Sequence, residues 1–350
     1  MEEKQKSHKI KGRGTSDNPA NRFEPIYYDH DNPEDINSST QFFTDTSKSL
    51  ITFNKSPDIS IDAFINPYRG CEHGCVYCYA RPFHEYLGLS AGLDFETKIF
   101  VKENAPVLLK KELFRAKWKP QIVGIGGVTD AYQPAERKWQ LTRKCLQVFN
   151  DFNNPVAIIT KNTLVQRDKD ILKEMAEKNT VFVLFSITSL NDKIISVMEP
   201  RTSRPLLKLK AIEELTKCGI KTGVMIGPVV PGLTDHEIPE IIKQSVNAGA
   251  VLARYILIRL PFGVKELFEK WLEMHFSDRK EKVLNRIRSM RDGSLYNPAF
   301  FERQRGNGIF AEQTQKVFET ACRKNGIEKA QFELTTKYFK NTINSQLSLF

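Results

Sequence analysis

From residue 59 to residue 260, short apolar runs alternate with longer amphipathic stretches. Each interval between two runs has room for a helix. This alternation predicts β-α units around a parallel sheet, because parallel strands must be joined by a crossover. Six units predict an α/β fold with a partial (β/α)6 barrel rather than an eight-fold barrel. The predicted strands are residues 59–66, 121–128, 156–161, 181–188, 221–226 and 253–260.

The intervals space their apolar side chains as helices do, which predicts helices with one buried face. Three predicted faces each carry a cysteine, and we predict that these three thiols pack in the core. The faces are Trp139, Thr142, Cys145, Leu146 and Phe149; Leu207, Ala211, Leu215 and Cys218; and Thr314, Val317, Phe318, Ala321 and Cys322.

The same pattern divides the chain into four segments. Residues 1–50 are polar and lack periodic apolar positions, so we predict a largely disordered segment. Residues 51–275 form the predicted barrel core, residues 276–340 a basic helical extension, and residues 341–350 a tail. Within the first segment, Lys11-Gly-Arg-Gly14 is a basic, flexible element that would suit a phosphate, with an ordinary tail as the alternative.

Composition narrows the class of protein. The chain has 52 Lys and Arg against 42 Asp and Glu, a formal charge of +10, which favours contact with polyanions without naming one. Six cysteines in 350 residues do not form a disulfide framework. No apolar run approaches the roughly 20 residues of a membrane span. We therefore expect a cytoplasmic protein with no membrane partner.

The segment from residue 66 to residue 81 carries the most specific chemistry. It places Cys71, Cys75 and Cys78 at C-x3-C-x2-C spacing. A cuboidal cluster used only for electron transfer usually has a thiolate on each of its four irons. Three ligands leave one iron open, and an open metal position is where a substrate or cofactor binds. A structural zinc site completed by His73 and His84 is the alternative.

The cysteine loop, with Tyr77 before its last thiol, resembles the signature of the radical S-adenosylmethionine (SAM) superfamily. The run through Cys78, Tyr79 and Arg81 resembles the branch grouped with spore photoproduct lyase. The resemblance implies a 4Fe-4S cluster on the three cysteines, with SAM bound to the open iron, and an external electron donor. It further implies reductive cleavage of SAM to a 5'-deoxyadenosyl radical, which abstracts a hydrogen atom from a substrate. No cysteine matches the hydrogen donor of spore photoproduct lyase, so the reaction, lyase-like or modifying, stays open.

In parallel barrels the reacting groups gather at the carboxyl ends of the strands. By resemblance, these ends would supply the contacts to SAM. The adenine would lie along the backbone near Tyr77 and Gly227, and the ribose would contact Ser186 and Thr188. The amino group would contact Gly126, Gly127 and Thr129 or Asp130. The carboxylate would lie beside an ion pair of Glu199 and Arg201. A plain strand-to-helix turn and a surface salt bridge are the alternatives for the glycines and the ion pair.

Two further cations end predicted strands. Lys161 ends the third strand and Arg259 the sixth, where either would suit a phosphate or carboxylate of the substrate. An arginine whose stem is simply buried is the alternative for Arg259.

The C-terminal extension is basic and aromatic. Between residues 279 and 291 one helix face is apolar and the other basic, which would suit a phosphate backbone or an ordinary packed helix. Tyr296, Phe300, Phe301 and Phe310 are interleaved with Arg303 and Arg305, a pattern of single-strand binders and also of core aromatics in a basic protein.

The last five residues put large apolar side chains at a chain end after a polar stretch, which is typical of a short anchor for a partner. They resemble the motif by which bacterial polymerases and repair proteins dock on the DNA sliding clamp. The resemblance implies a rim contact from Gln346 and pocket contacts from Leu347, Leu349 and Phe350. A tail folded back on the barrel is the alternative.

These observations predict a radical SAM enzyme, and three interpretations of its role remain. The first acts on nucleic acid, in DNA repair or modification. The second modifies a protein or small molecule. The third is a non-enzymatic clamp- or DNA-binding protein with a structural or redox-sensing cluster.

Overall fold

The computed structural model describes residues 10–23, 39–327 and 333–341. Strands and helices alternate along most of this length. The strands are β1 Gln41–Thr44, β2 Ile51–Phe53, β3 Ala63–Ile65, β4 Tyr68–Arg69, β5 Lys98–Val101, β6 Val123–Ile125, β7 Val156–Thr160, β8 Val181–Ser186, β9 Thr222–Val229 and β10 Leu252–Leu257.

The helices lie between and after these strands. They are α1 Leu93–Thr97, α2 Ala105–Phe114, α3 Glu136–Trp139, α4 Leu141–Phe152, α5 Lys169–Glu177, α6 Asp192–Met198, α7 Pro205–Lys217, α8 Ile238–Asn247, α9 Val264–His275, α10 Lys280–Ser289, α11 Glu302–Arg305 and α12 Gly308–Lys324. Short 3-10 helices span Arg81–Leu87, Thr163–Asp168 and Asp235–Glu237.

The main sheet has the order β10-β9-β8-β7-β6-β3-β2. Its six strands from β10 to β3 pair in parallel, and β2 is an antiparallel edge strand. Each predicted strand overlaps one of these six, so the partial (β/α)6 barrel is confirmed. All six residues of β8 are buried, as expected of a parallel strand covered on both faces. Only Ala63–Ile65 of the first predicted strand pairs in the sheet.

A second, three-stranded sheet lies beside the start of the cysteine loop. Its order is β1-β5-β4, with β1 parallel and β4 antiparallel to β5. Because β4 ends at Arg69, this sheet fixes the point from which the cysteine loop begins.

The apolar helix faces are confirmed except at Leu207 and at Val317, which is 42% exposed. Cys145 and Cys322 are buried and Cys218 packs against the core, as predicted. On α7, however, Leu207 is 52% exposed, whereas Lys208 is fully buried. The prediction for Leu207 was wrong because helical spacing counts only apolar side chains, and here a buried carboxylate holds the neighbouring lysine instead.

The prediction that residues 1–50 are largely disordered is corrected for residues 10–23 and 39–50. The second of these stretches supplies β1. The first is bound by backbone and side-chain groups of the 3-10 helix Arg81–Leu87 and of α1. Asn21 Nδ2 donates to the backbone carbonyl of Glu85 at 2.9 Å, and Asn18 Nδ2 donates to Asp94 Oδ1 at 3.1 Å. Sequence periodicity did not predict this docking, because it uses polar and backbone groups rather than a hydrophobic face.

The C-terminal extension packs back onto the barrel. Helix α10 buries Val283, Leu284 and Ile287, the predicted apolar face. The Phe318 ring of α12 lies 4.7 Å from the Tyr255 ring of β10, measured between centroids. The predicted clamp motif, residues 346–350, lies outside the described residues. Within the described part of the chain, no helix combines the length and the apolar character that crossing a membrane would require.

Candidate active site

The three cysteines of the C-x3-C-x2-C motif lie in a buried loop after β4. Cys71 and Cys75 are 7% and 8% exposed, Cys78 is partly buried, and all three are free thiols. Burial, followed by the neighbouring Cys71 sulfur, raises the pKa of Cys78 to about 11. The thiols are thus close enough to interact, and a positively charged iron centre would hold them as thiolates. This donor set fits a 4Fe-4S cluster.

Both histidines of the alternative zinc site have polar neighbours outside the cysteine loop. His84 Nε2 lies 3.0 Å from Lys98 O, and its ring packs edge-on against Phe95. His73 Nδ1 lies 3.4 Å from Asp130 Oδ2, and its Nε2 lies 3.2 Å from Asn162 Nδ2. Among the described residues, no three metal-binding side chains converge as they would around one ion. Cluster ligands need not converge, because each binds a different iron.

The cysteine loop is held from outside by a buried ion pair. Arg81 and Glu96 are both fully buried, with 2.6 Å between Arg81 Nη2 and Glu96 Oε1. Arg81 Nε donates to the carbonyl of Cys75 at 3.0 Å. Arg81 therefore links Cys75 to α1, which gives the arginine of the extended motif a structural role in this chain.

The N-terminal segment completes this support. The backbone N–H of Gly14 donates to Glu96 Oε2 at 3.0 Å, and the N–H and hydroxyl of Thr15 donate to Oε1 at 3.1 and 3.0 Å. A Cβ on Gly14 would lie 1.7 Å from the carbonyl oxygen of Gly74, inside the cysteine loop. The Lys11-Gly-Arg-Gly14 element thus packs on the loop, rather than forming the free basic tail that its composition suggested.

Lys161 lies at the centre of a polar network at the strand ends. Its Nζ donates to Ser186 Oγ at 2.8 Å and to Thr188 Oγ1 at 3.2 Å. It also donates to Gly227 O at 2.8 Å and to Glu199 Oε1 at 3.0 Å. The Ser186 hydroxyl donates to the same Gly227 carbonyl at 3.0 Å, and Thr188 Oγ1 lies 2.9 Å from that oxygen. Four residues predicted to bind SAM therefore meet around one ammonium group.

Glu199 is the carboxylate of this network. Its side chain is fully buried, and Oε2 lies 3.4 Å from the ammonium of Lys208, which is fully buried too. The hydroxyls of Tyr77 and Thr188 both donate to Oε1. Burial opposes ionisation of Glu199, but Lys161 and Lys208 outweigh it and hold the pKa of this carboxyl well below its usual range. We call Lys161, Glu199, Lys208, Tyr77 and Thr188 the charge-paired network.

The predicted ion pair between Glu199 and Arg201 does not form. Arg201 Nη2 instead lies 3.2 Å from Glu72 Oε1, and the Arg201 backbone N–H donates to His73 O at 3.3 Å. The reason is that Glu199 turns inward to the two lysines, whereas Arg201 lies on the side of the cysteine loop. A contact between Arg201 and SAM stays a prediction.

The glycine-rich segment after β6 forms a tight turn at the end of the strand. Gly126 has φ +96°, and a Cβ there would lie 2.3 Å from Ile159 O. The carbonyl of Gly127 accepts a hydrogen bond from the Tyr79 hydroxyl, next to Cys78. This segment therefore touches the cysteine loop, as its predicted role requires.

The two polar residues that follow these glycines are bonded within the chain. Thr129 Oγ1 donates to Tyr68 O at 3.3 Å. Asp130 accepts from Thr160 Oγ1 and from the Lys161 N–H, each at 2.7 Å, and its charge helps to raise the pKa of His73 to about 10 despite burial. Their contacts to the amino group of SAM stay predictions.

Comparison with known proteins assigns this arrangement to a family. The sequence profile described as "Radical SAM superfamily" matches residues 65–244, which include all three cysteines. An uncharacterised protein of Mycobacterium tuberculosis is 32% identical over 255 residues, covering 71% of this chain and 74% of its own length. The chain belongs to the radical SAM superfamily. It is therefore a radical SAM enzyme, and the non-enzymatic interpretation falls away.

Other relatives of this radical SAM enzyme are more distant. A Methanocaldococcus jannaschii protein, also uncharacterised, is 30% identical over 252 residues, covering 72% of this chain and 90% of its own length. A Pseudomonas phage M6 protein named radical SAM Nalpha-GlyT isomerase is 24% identical over 183 residues, 52% of this chain and 36% of its own length.

Solved structures of spore photoproduct lyase share the fold. A mutant with bound AdoMet and dinucleoside spore photoproduct superposes with a TM-score of 0.59 at 17% sequence identity, covering 82% of this chain and 80% of that one. Another mutant superposes with the same TM-score at 16% identity, over 88% and 86% of the two chains. At these identities the likeness concerns architecture alone.

Sequence reasoning missed two charged residues that shape the site and gave a third a different role. Lys208 and Glu96 are buried and lie on helices, where a charged side chain is normally expected on the solvent-exposed face. Lys161 was predicted as a substrate contact, and the structure places it among the predicted SAM contacts instead. Only its position at the end of a strand pointed to the site.

Proposed function

We propose that Cys71, Cys75 and Cys78 hold a 4Fe-4S cluster and that SAM binds between the cysteine loop and the charge-paired network. The observation that carries this proposal is that three free, largely buried thiols lie in one loop, whose Tyr77 hydroxyl donates to the buried carboxylate that pairs with two ammonium groups at the strand ends. Bound there, the cluster and SAM would supply a 5'-deoxyadenosyl radical for hydrogen abstraction. The chain's own part is to orient SAM and exclude water.

The residues of the network would divide this work. Lys161 is 15% exposed, so its ammonium is the network cation accessible to the carboxylate of SAM. Lys208 is fully buried and would keep Glu199 ionised. SAM could approach the backbone closely at Gly126, Gly127 and Gly227, which have no side chains. The ribose could form hydrogen bonds with the hydroxyls of Ser186 and Thr188.

The experiment is anaerobic reconstitution with iron and sulfide, reduction with dithionite, and quantification of 5'-deoxyadenosine formed from SAM. The wild-type protein should bind four irons per chain and form 5'-deoxyadenosine. Cys71→Ala, Cys75→Ala and Cys78→Ala should each lose both properties, whereas Cys145→Ala, in the core, should keep them. A wild-type protein with a full cluster and no 5'-deoxyadenosine would contradict the proposal.

For the substrate, we propose nucleic acid, in DNA repair or modification. The formal charge of +10 supports this choice, since polyanions bind basic surfaces. The shared architecture with spore photoproduct lyase and the relative named as an isomerase of Nalpha-GlyT are compatible with it. Modification of a protein or small molecule is the competing function. A dissociation constant for oligonucleotides that does not change with salt would favour that competitor.

We propose in addition that Gln346, Leu347, Leu349 and Phe350 dock on the DNA sliding clamp. Such docking would place the enzyme in the cytoplasm, where six thiols stay reduced. Deletion of residues 346–350 should abolish capture by immobilised clamp while leaving formation of 5'-deoxyadenosine intact. Capture that survives the deletion would contradict the docking proposal.

A further inference from the structure

Arg259, after β10, and Arg291, after α10, form a pair of cations that no carboxylate compensates within the described residues. Arg291 is 2% exposed. Its Nη2 donates to Ile258 O at 2.6 Å and to Arg303 O at 3.2 Å, but its Nη1 has no hydrogen-bond partner among the described residues. Arg259 Nε is likewise buried without a partner there. We call Arg259 and Arg291 the arginine pair.

This pairing differs from that of the other buried arginines. Arg81 has Glu96 and Arg303 has Asp58 as direct partners. Buried arginines almost never lack a partner, because removing a charge from water is costly unless another group compensates it. Burial and then the charge of Arg259 lower the pKa of Arg291 to about 10. The arginine pair is therefore set up for an anion that comes from outside the chain.

The arginine pair adjoins the proposed reaction site. The guanidinium carbon of Arg259 lies 4.8 Å from the centre of the Tyr79 ring. Tyr79 follows Cys78 in the sequence, and its hydroxyl donates to Gly127 O at the exit of β6. An anion held by the arginine pair would thus lie beside both the cysteine loop and the glycine-rich segment.

A line of aromatic rings leads outward from the arginine pair. Tyr296 is close enough to interact with the charge of Arg291, and its ring lies 6.4 Å from that of Phe262. The guanidinium of Arg22 lies 3.6 Å from the Phe262 ring and 5.0 Å from the Phe23 ring. Phe23 in turn stacks on Tyr86 at 4.9 Å. We call Phe23, Tyr86, Phe262 and Tyr296 the aromatic platform.

The aromatic platform faces solvent to an unusual degree. Phe23 is 53%, Tyr86 67% and Phe262 51% exposed. Large apolar rings exposed together mark an interaction surface rather than a core. Rings that alternate with guanidinium groups match the chemistry of an unpaired strand, whose bases stack on rings and whose phosphates pair with arginines.

The geometry points to a binding path for single-stranded nucleic acid, in which the arginine pair holds a backbone phosphate and the aromatic platform stacks the neighbouring bases. The inference rests on the proposed function, because it names the substrate class for the same site. A strand held in this way presents one nucleotide beside Tyr79. Base-paired strands do not fit the path, because their bases stack on one another and do not offer their faces to protein rings.

The test is fluorescence anisotropy of a labelled 12-nucleotide oligothymidylate titrated with the reconstituted protein at several salt concentrations. Arg259→Gln should weaken binding about tenfold and make the slope of log K against log salt shallower by about 0.7, the contribution of one phosphate contact on a single strand. Phe262→Ala should weaken binding by about fivefold or more through lost stacking. Lys217→Gln, which removes an exposed charge on α7, should change the affinity less than twofold.

Arg291 needs a gentler variant, because its side chain also bonds to Ile258 O. Arg291→Lys keeps the charge and loses the guanidinium fork, so it should weaken binding while the midpoint of thermal unfolding stays near the wild-type value. Wild-type affinity in both Arg259→Gln and Phe262→Ala would overturn the inference. A duplex that binds as tightly as the single strand, or a phosphoserine peptide that displaces it equally well, would overturn it too.

A second readout separates this inference from the proposed function. Formation of 5'-deoxyadenosine by wild-type protein without oligonucleotide tests the proposed function alone, and Lys217→Gln should form it at the wild-type rate. If wild-type protein forms none, the proposed function fails, while the anisotropy results still decide whether the arginine pair binds a strand. If SAM cleavage is normal and affinities do not change, the inference alone fails.

Discussion

The charge-paired network and the arginine pair lie at the same end of the barrel, but only the first pairs its cations with a carboxylate. In the network, Glu199 lies between two ammonium groups and accepts hydroxyl hydrogen bonds as well. In the arginine pair, two guanidinium groups lie together, and within the described residues neither has a carboxylate partner. The first region contains its own carboxylate, whereas the described residues supply none to the second.

This difference separates two tasks of one active site. A cofactor site gains from rigid, preorganised groups, because a charge that is already oriented needs no rearrangement at the moment of reaction. A substrate site instead gains affinity from charges that the free protein leaves uncompensated. The comparison therefore supports the two proposals, of SAM at the charge-paired network and of a polyanion at the arginine pair.

The largest effect is expected from breaking the charge-paired network. Glu199→Gln leaves Lys161 and Lys208 without a carboxylate, and loss of one partner from a buried ion pair costs about 3–5 kcal/mol of unfolding free energy. Urea unfolding of the reconstituted protein measures this cost. Glu213→Gln, which removes an exposed carboxylate that pairs with Lys217 on α7, should leave the unfolding midpoint unchanged. A Glu199→Gln protein as stable as wild type would show that the network is not held by this charge.

The next effect concerns the support of the cysteine loop. Gly14→Ala places a methyl group against Gly74 O, and overpacking of this kind costs about 1–3 kcal/mol unless the segment undocks. We expect undocking, seen as faster tryptic cleavage after Arg13 and Arg22 and as a lower iron content. Gly263→Ala is the matched control, because its φ of −61° suits alanine and its Cβ would lie at an ordinary contact distance of 3.6 Å from Pro19 in the same segment. Equal cleavage rates in the two variants would refute the role of Gly14.

A pH titration sharpens the first prediction. The pKa of Glu199 is depressed in the folded state, so its stabilising effect is present above the unfolded pKa of about 4.3 and is lost as the pH falls through the lower folded value. The stability difference between wild type and Glu199→Gln should therefore shrink by about 1 kcal/mol from pH 7 to pH 4. Urea unfolding at both pH values measures it. A difference that stays constant would mean that Glu199 titrates normally.

The smallest effect is expected on the other side of the comparison. Arg259→Gln removes a charge that no carboxylate compensates in the described structure, so the unfolding free energy should change by less than about 0.5 kcal/mol or rise slightly. Urea unfolding in phosphate-free buffer gives this value. A loss as large as that of Glu199→Gln would reveal an intramolecular partner for Arg259 and end the contrast between the two regions.

Several features could be predicted from the sequence because they follow local rules. Strands β7 and β8 are almost entirely buried apolar runs, so their pattern identified them without tertiary information. The cysteine loop was predictable from its spacing alone. Residues at the strand ends, such as Ser186 and Gly227, were found because the carboxyl ends of parallel strands share one edge.

The remaining features depend on partners that are distant in the sequence. Lys208 is buried because Glu199 on another segment compensates it, and no periodicity on α7 contains that information. The docking of Gly14 on Gly74 uses backbone groups that leave no hydrophobic signal. Arg259 and Arg291 come together only because α10 returns to the end of β10. Electrostatic pairs of this kind need the fold before they can be recognised.

The most direct test of the whole account is the transfer of deuterium between substrate and cofactor product. Reconstituted protein would be incubated with SAM, dithionite and a fully deuterated single-stranded oligonucleotide, and the 5'-deoxyadenosine analysed by mass spectrometry. If the charge-paired network and the arginine pair serve one reaction, 5'-deoxyadenosine should gain one deuterium from the strand. Formation of 5'-deoxyadenosine that stays unlabelled while the oligonucleotide is bound would contradict a nucleic-acid substrate for this radical SAM enzyme.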